Sequence, residues 1–408
     1  MANTLVTIDM VTREALRIAH EKCQFIGTVD RQYDDSFSKT GAKIGASLRV
    51  RKPNQYVRTQ GSRVMDVQDQ AEATATITVA TQDHVDMRFN SAELSLSIDE
   101  ISQRYIEPAV SVLVSGIEAD FLAFATKATY NVAGTAGSAI NSLTAPGAAR
   151  AKLNQYLAPK DMNRAIQMDS VTMGGLVAGV ASYFNPANDV GKQYREGLVA
   201  RTSMADYYEN ERIWTLTNSS DVTCTMAAAA AVTDGGNQMT MASLSVAPAT
   251  GAVFTVPGVY ACHPETKQSL GMLQQFVITA GTTTIQTVSP NIYLTGPRQN
   301  VCSAAGAQLT TATFDGTGIV PVFVGAASTS YPQPLMYHKE AFQFVTADLP
   351  LMDDAAKCVR RVQDGLSLRV WQASDIRNDE LLMRIDILYG MAALRPEWAC
   401  RLIGSASA

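Results

Sequence analysis

The sequence predicts an α+β protein in which a self-contained all-β module interrupts a mixed parent domain, and three observations carry that expectation. A long apolar stripe of helical period runs through residues 97–129. A nearly chargeless stretch rich in Thr, Ser, Ala, Val and Gly fills residues 218–333 and breaks into short strand-like runs. The segments on either side of it share a different, mixed character, so the stretch reads as an insertion whose ends lie close together in its parent. With 408 residues, 46% of them hydrophobic and 17% charged, the chain can bury a sizeable core.

In chain order, Ile8, Val11, Ala15 and Ile18 recur at three- and four-residue spacings while Arg13, Glu14, Arg17 and Glu21 face elsewhere. That pattern predicts an amphipathic helix to about Gln24. From Thr28 to about residue 72, Gly41, Gly45, Pro53 and Gly61 punctuate short alternating runs such as Ser47–Arg51, which carry almost no apolar mass. The segment reads as a long two-stranded arm without a core of its own, and an isolated hairpin is marginal in water. It is polarised: Lys39, Lys43, Arg49, Arg51, Lys52, Arg58 and Arg63 precede Asp66, Asp69 and Glu72. Such a run is either a solvated face or a pairing surface for a neighbouring subunit.

Period-2 runs at 74–79 and 85–89 predict strands. Ser97 and Glu100 have capping-box spacing at the head of the long helix, Pro108 is expected to kink or restart it, and Val110, Leu113, Val114, Ile117, Phe121 and Phe124 form its core-facing stripe. Shorter helices follow at 148–157, 173–183 and 193–200, with Gly175 and Gly179 spaced for close packing. Inside the module, strands are expected at 222–232, 238–246, 252–261, 273–280 and 284–288. The chain closes with two strands expected to adjoin, 383–387 and 398–402, with a turn allowed at Tyr389-Gly390 and a hinge at Arg395-Pro396-Glu397.

The net charge of −5 gives no general attraction for DNA or an anionic membrane. No uninterrupted apolar run reaches the roughly 18 residues of a membrane span, and the first residues lack the pattern of a secretory signal, which points to a cytosol-like compartment. The six cysteines are scattered without a CxxC pair, and Cys262-His263 by itself cannot build a metal site. Phosphate-loop, HExxH and GxSxG motifs are missing, leaving Asp353-Asp354 as neighbouring carboxylates with nothing around them to suggest catalysis. No cofactor or metal is expected.

The closing run RIDILYGMAALRPE (384–397) resembles the C-terminal pattern of tailed-phage major capsid proteins, in the branch typified by the coat protein of short-tailed Salmonella phages. YHKEAFQFVTADLPL (337–351) is similar to that family's return segment, and FTVPGVYACHPETKQSLGMLQQFVITA (254–280) to the inserted barrel of its close members. The resemblance implies a Hong Kong 97-type capsid fold with an inserted all-β barrel. Its parts would be an N-terminal arm (1–27), an extended loop (28–72), a peripheral domain (73–170) with a spine helix (97–129), an axial domain (171–217 and 334–380) holding the barrel (218–333), and closing strands of the peripheral domain (381–408). One departure stands out: the turn Thr233–Asn237 is short and carries a single charge where the Salmonella-type coat has a charged hairpin.

The implied function is self-assembly into an icosahedral shell around double-stranded DNA, with a scaffolding protein, a portal and further copies of the chain as partners and no membrane. The virion capsid would be its location, after assembly in the host bacterial cytoplasm. Lys43, Arg49, Arg51, Lys52, Arg58, Arg63, Asp66 and Asp69 are then the expected inter-subunit contacts of the loop, and Glu14 and Glu21 the expected scaffold contacts. The alternatives are an exported β-rich adhesion or glycan-binding protein and a hydrolase without a recognisable motif.

Overall fold

A computed structural model describes residues 8–31, 47–61, 65, 67, 74–90, 105–180, 205–316, 318–351, 357–363, 366–375, 378 and 380–406. The chain divides into two compact units. The first comprises 1–50, 74–121 and 342–394, the second 51–73, 122–341 and 395–408.

The first unit is organised by one long strand. β21 (Glu380–Ala393) pairs antiparallel with β4 (Thr81–Asn90) along 380–389, with β20 (Leu366–Asp375) along 380–386, and with β18 (Phe342–Ala347) along 388–393. β19 (Lys357–Gln363) extends the sheet beyond β20, and β1 (Asp30–Arg31) adds a short parallel edge to β18. Against this sheet lie α1 (Ile8–Lys22), α2 (Phe25–Thr28) and the start of α3 (Glu107–Ala128). Their core is aromatic: Phe121 sits 4.9 Å from Phe25 and 5.5 Å from Phe344, which stacks at 5.5 Å on Tyr389. As the apolar spacing predicts, Val11, Ala15 and Ile18 are buried and Arg13 is exposed.

Among the described residues of this unit two carboxylates are fully buried, and each is satisfied. Glu118 on α3 accepts the backbone N–H groups of Gln24, at 2.7 Å, and of Phe25, supplying the cap that α2 lacks from its own sequence. Asp386 on β21 accepts from its cross-strand neighbour Arg369 (Nε to Oδ1 3.0 Å) and from Gln82 (3.1 Å).

β2 (Ser47–Arg51) and β3 (Thr74–Thr78) form a two-stranded pair at the base of the arm. Val50 packs there against Ile77, Val79, Val345, Leu349 and Leu388. The base of the arm is therefore anchored on the subunit's own core through Val50, although the sequence pattern gives the arm no core of its own.

The second unit is built on a five-stranded sheet in the order β5 (Val132–Gly134), β22 (Ala399–Ile403), β17 (Leu335–His338), β6 (Arg164–Met168), β7 (Asp206–Glu209). α4 (Thr144–Gln155) buries Ala149 and Leu153, and α5 (Ser170–Val180) buries Met173, Leu176 and Val180. The inserted module leaves and rejoins this parent through one antiparallel pair, β8 (Thr215–Thr217) with β16 (Ser330–Pro332), flanked by backbone bonds from Asn218 to Thr329 and from Gln333 to Trp214. The ends of the insertion are thus adjacent, as its composition implied.

Within the module, a seven-stranded antiparallel sheet runs in the order β14 (Val301–Cys302), β11 (Val253–Cys262), β12 (Ser269–Gly281), β13 (Ile285–Ser289), β10 (Gln238–Ala242), β9 (Thr225–Met226), with β15 (Val322–Phe323) also on β11. The segment 318–323 bonds β9 at one end, where Met226 N–H donates to the Ile319 carbonyl, and pairs with β11 at the other. A separate core of Phe254, Phe276, Phe314, Met226, Met239 and Ile278 fills the interior.

Several expectations from sequence need correction. Tyr389-Gly390 is no turn: both lie inside β21, and a Cβ at Gly390 would collide with the Thr78 carbonyl, so glycine here permits close backbone approach. The two closing strands do not adjoin, because β21 and β22 join different sheets. The strands expected at 222–232 and 238–246 shorten to β9 and β10, interrupted by left-handed Ala230 and Ser243. Pro108 stands in the first turn of the described α3, where proline is tolerated. By length and composition α3 is apolar enough to cross a membrane, although half of that stretch is buried within the fold. The Ser97–Glu100 capping box, the 193–200 helix and Asp353-Asp354 lie outside the described residues.

Two outcomes are expected. Residues 218–333 produced alone should give a β-type circular dichroism spectrum and a cooperative melt, since their core and their adjacent ends are self-contained. Asp386→Ala in the full chain should cost about 3–5 kcal/mol in denaturant unfolding, because it strands a buried guanidinium; a loss under 1 kcal/mol would show that water or another acceptor replaces the carboxylate.

Candidate assembly surface

The charged residues singled out in the sequence fall into distinct settings. Arg49 and Arg51 share the exposed face of β2, opposite the anchored Val50. Lys52 and Arg58 lie on the extended segment that follows, Lys52 half-buried and Arg58 exposed. Glu14 pairs with Arg17 one turn along α1, with oxygen to nitrogen distances of 2.5 and 3.1 Å. Glu21 belongs to α1, but its side chain, like Lys43, Arg63, Asp66 and Asp69, lies outside the described residues.

In the second unit, the segment 52–58 forms one wall of an open cavity of about 590 Å³, continuous through shared lining residues with a second of about 350 Å³. Five cations line the pair, Lys52, Arg58, Lys267, Arg298 and Arg395, against the carboxylates Glu265 and Glu397. Aromatic rings fix two of the cations: the Arg395 guanidinium lies 4.1 Å from the Trp398 ring centre and that of Arg298 5.7 Å from Tyr293. Lys267 donates to the Gln299 carbonyl, and burial lowers its pKa. Beside it, burial together with the neighbouring Cys302 pushes the Cys262 thiol up to about 12, an inert thiol rather than a nucleophile.

The corner that carries Arg395 is held from below. Trp398 donates its indole N–H to the Tyr156 carbonyl at 3.1 Å, and buried His338 packs edge-on against it. His338 Nδ1 accepts from the Glu340 N–H, which leaves Nε2 to donate to Asp161 at 3.0 Å. Burial raises the Asp161 pKa, but hydrogen bonds from Asn163 and His338 outweigh it and hold the carboxyl at about 2.

A further polar seam joins the module to the sheet. Arg401, fully buried in β22, donates to the Thr129 carbonyl at 2.8 and 2.5 Å and to the Gly251 carbonyl at 2.7 Å. Lys152 donates to the Val132 carbonyl and to Gln275, and Tyr156 donates to Gln274. Burial lowers the pKa of both Arg401 and Lys152. Arg401 was not singled out from sequence, although an arginine inside the apolar run WACRLIG is itself a signal of a buried, satisfied charge. Among the described residues no His, Cys, Asp and Glu group has metal-binding geometry.

The profile of the P22 coat protein family, described as P22 coat protein, gene protein 5, matches residues 204–404, which includes the module, β17 to β21 and β22. The chain is a tailed-phage major capsid protein. The capsid protein is similar in structure to a protein of Mycobacterium phage Che8, with a TM-score of 0.50 and 10% identity over 93% of this chain and 90% of that one. It also aligns with the capsid of Cyanophage P-SCSP1u (TM-score 0.45, 11% identity, 93% and 86% covered) and with the mature capsid of bacteriophage PhiM1 (0.41, 12%, 88% and 82%). At such identities the likeness to Che8 speaks for the fold, which is the Hong Kong 97 type. No protein of curated function matches the sequence. The capsid protein is a structural protein, located in the virion capsid, that associates with copies of itself.

Arg401→Met should leave the Thr129 and Gly251 carbonyls without their donor at about 1–3 kcal/mol each. Scanning calorimetry of the full chain should show a lower Tm, and an unchanged Tm would mean that the seam holds without it.

Proposed function

We propose that the capsid protein tiles its shell as hexamers and pentamers, assembled in the host bacterial cytoplasm around a scaffolding protein, with a portal at one vertex and double-stranded DNA packaged against it by weak, non-specific contact. The observation that carries this reading is the coat-protein match over 204–404, joined to an arm whose cations Arg49, Arg51 and Arg58 all face solvent. A mild net charge of −5 supports it too, since a strongly basic lining would grip the phosphates being pumped past it. The match disfavours an adhesion protein or a hydrolase.

In this reading the working parts are an arm (1–27), an extended loop (28–72), a peripheral domain (73–170), an axial domain (171–217 and 334–380), the inserted barrel (218–333) and closing strands (381–408), the last divided between the two compact units. Lys43, Arg49, Arg51, Lys52, Arg58, Arg63, Asp66 and Asp69 bridge copies, and Glu14 and Glu21 meet basic residues of the scaffold. Each exposed pair contributes 0 to about 1 kcal/mol, yet every interface of a closed shell repeats it.

Arg49→Glu with Arg51→Glu should leave the subunit soluble and similarly stable to heat while slowing or blocking shell formation. Light scattering of scaffold-triggered assembly, with sedimentation and electron micrographs to separate shells from subunits, tests this. Normal shells from the double variant would show that backbone pairing and the Val50 anchor hold the arm without help from its charge. Shells missing from the unaltered protein under all scaffold conditions would remove the capsid assignment itself.

A further inference from the structure

The paired cavities along segment 52–58 concentrate cations on a chain that is acidic overall: five positive groups and two negative ones line them, against a net charge of −5. Among the described residues neither Lys52 nor Arg58 has a carboxylate within salt-bridge distance, although Glu265 and Glu397 line the same space. Apolar surface accompanies the charge, in Tyr56 (56% exposed) and Leu157 (39%). A cavity of this size and mixed character suits a short extended segment bearing carboxylates and small apolar side chains.

The chain carries such a segment. Residues 65–72 read MDVQDQAE, in which Met65 and Val67 alternate with acidic and amide positions and Asp66, Asp69 and Glu72 recur every third residue. Among the described residues of the arm Met65 and Val67 are the most exposed large apolar side chains, at 83% and 78%, so neither is buried in its own chain's groove. We propose that the groove formed by segment 52–58, the Arg395–Trp398 corner and the module loops around Lys267 and Arg298 receives the acidic strip 65–72 of a second copy. The carboxylates meet the cations, while Met65 and Val67 cover Leu157 and Tyr56. The proposal rests on the capsid reading and names the surface that one edge of the extended loop would find on its neighbour.

The test uses the full-length, unassembled subunit and a blocked synthetic peptide of residues 64–73. Isothermal titration should show saturable one-to-one binding that weakens as salt rises, and Lys52→Glu with Arg58→Glu should weaken it by about tenfold or more. Lys357→Glu with Arg361→Glu, on β19 of the first unit and not among the groove's lining residues, should bind as the unaltered protein does. If the first double variant melts early, the peptide carrying Met65→Ser and Val67→Ser reads the same contact on the unaltered subunit and should lose most of the affinity. The proposal is overturned if the unaltered subunit does not bind the peptide, if the Lys52 and Arg58 variant binds it equally, or if a scrambled peptide of the same charge binds as well. Shells that form normally from a subunit unable to bind the peptide would reject the groove and leave the capsid reading in place.

Discussion

Within the second unit, the attachment of the inserted module depends on a buried guanidinium. Arg401 sits in the middle of β22 fully buried, and its charge is tolerable only because the Thr129 and Gly251 carbonyls take its donors. One of those carbonyls belongs to the parent and the other to the module. Gly251 reaches that position because it has no Cβ; one added there would stand 2.6 Å from the Trp214 ring, over which Lys127 is also placed. Polar contacts from Arg401, Lys152 and Tyr156, together with an apolar cluster in which Val253 and Val277 of the module meet Tyr130, Val132 and Ile403 of the parent, therefore define one seam, and the module has a further hydrophobic core of its own.

In the first unit the same logic is applied to a strand and a helix. β21 is paired over most of its length, so the carboxylate of Asp386 points into a region with no solvent, and Arg369 and Gln82 arrive from the two flanking strands to satisfy it. Glu118 does for the α2 amides what a local cap would do elsewhere. Such buried charges contribute less to net stability than well-packed apolar replacements would, but they tolerate only one register and one docking position for the elements that carry them. For a coat protein whose copies must match, a single register is the property that counts.

The candidate surface was legible in part. The run of cations between Lys39 and Arg63 was visible in the sequence, as was its reversal at Asp66, because charge patterning needs no tertiary information. The sequence could not show that Val50 anchors the base of the arm, that Glu14 is engaged by Arg17, or that Arg395 and Lys267, distant in sequence, share a groove with Lys52. Those facts depend on which segments the fold brings side by side.

The fold divides along the same line. Helical spacing of Val11, Ala15 and Ile18, the apolar stripe of α3, and the change in composition near residue 218 are properties of neighbouring residues, and they determined the N-terminal helix, the long helix and the insertion from the sequence alone. Which sheet a strand joins is different, since alternation within a strand says that one face is buried without saying against what. MRIDI and ACRLI read alike as closing strands, yet one lies between β4 and β20 and the other between β5 and β17. Gly390 likewise signals a turn to any local reading and becomes a strand residue only because Thr78 passes too close for a side chain. Long-range pairing and close approach are set by the whole chain at once, so only the tertiary structure decided them.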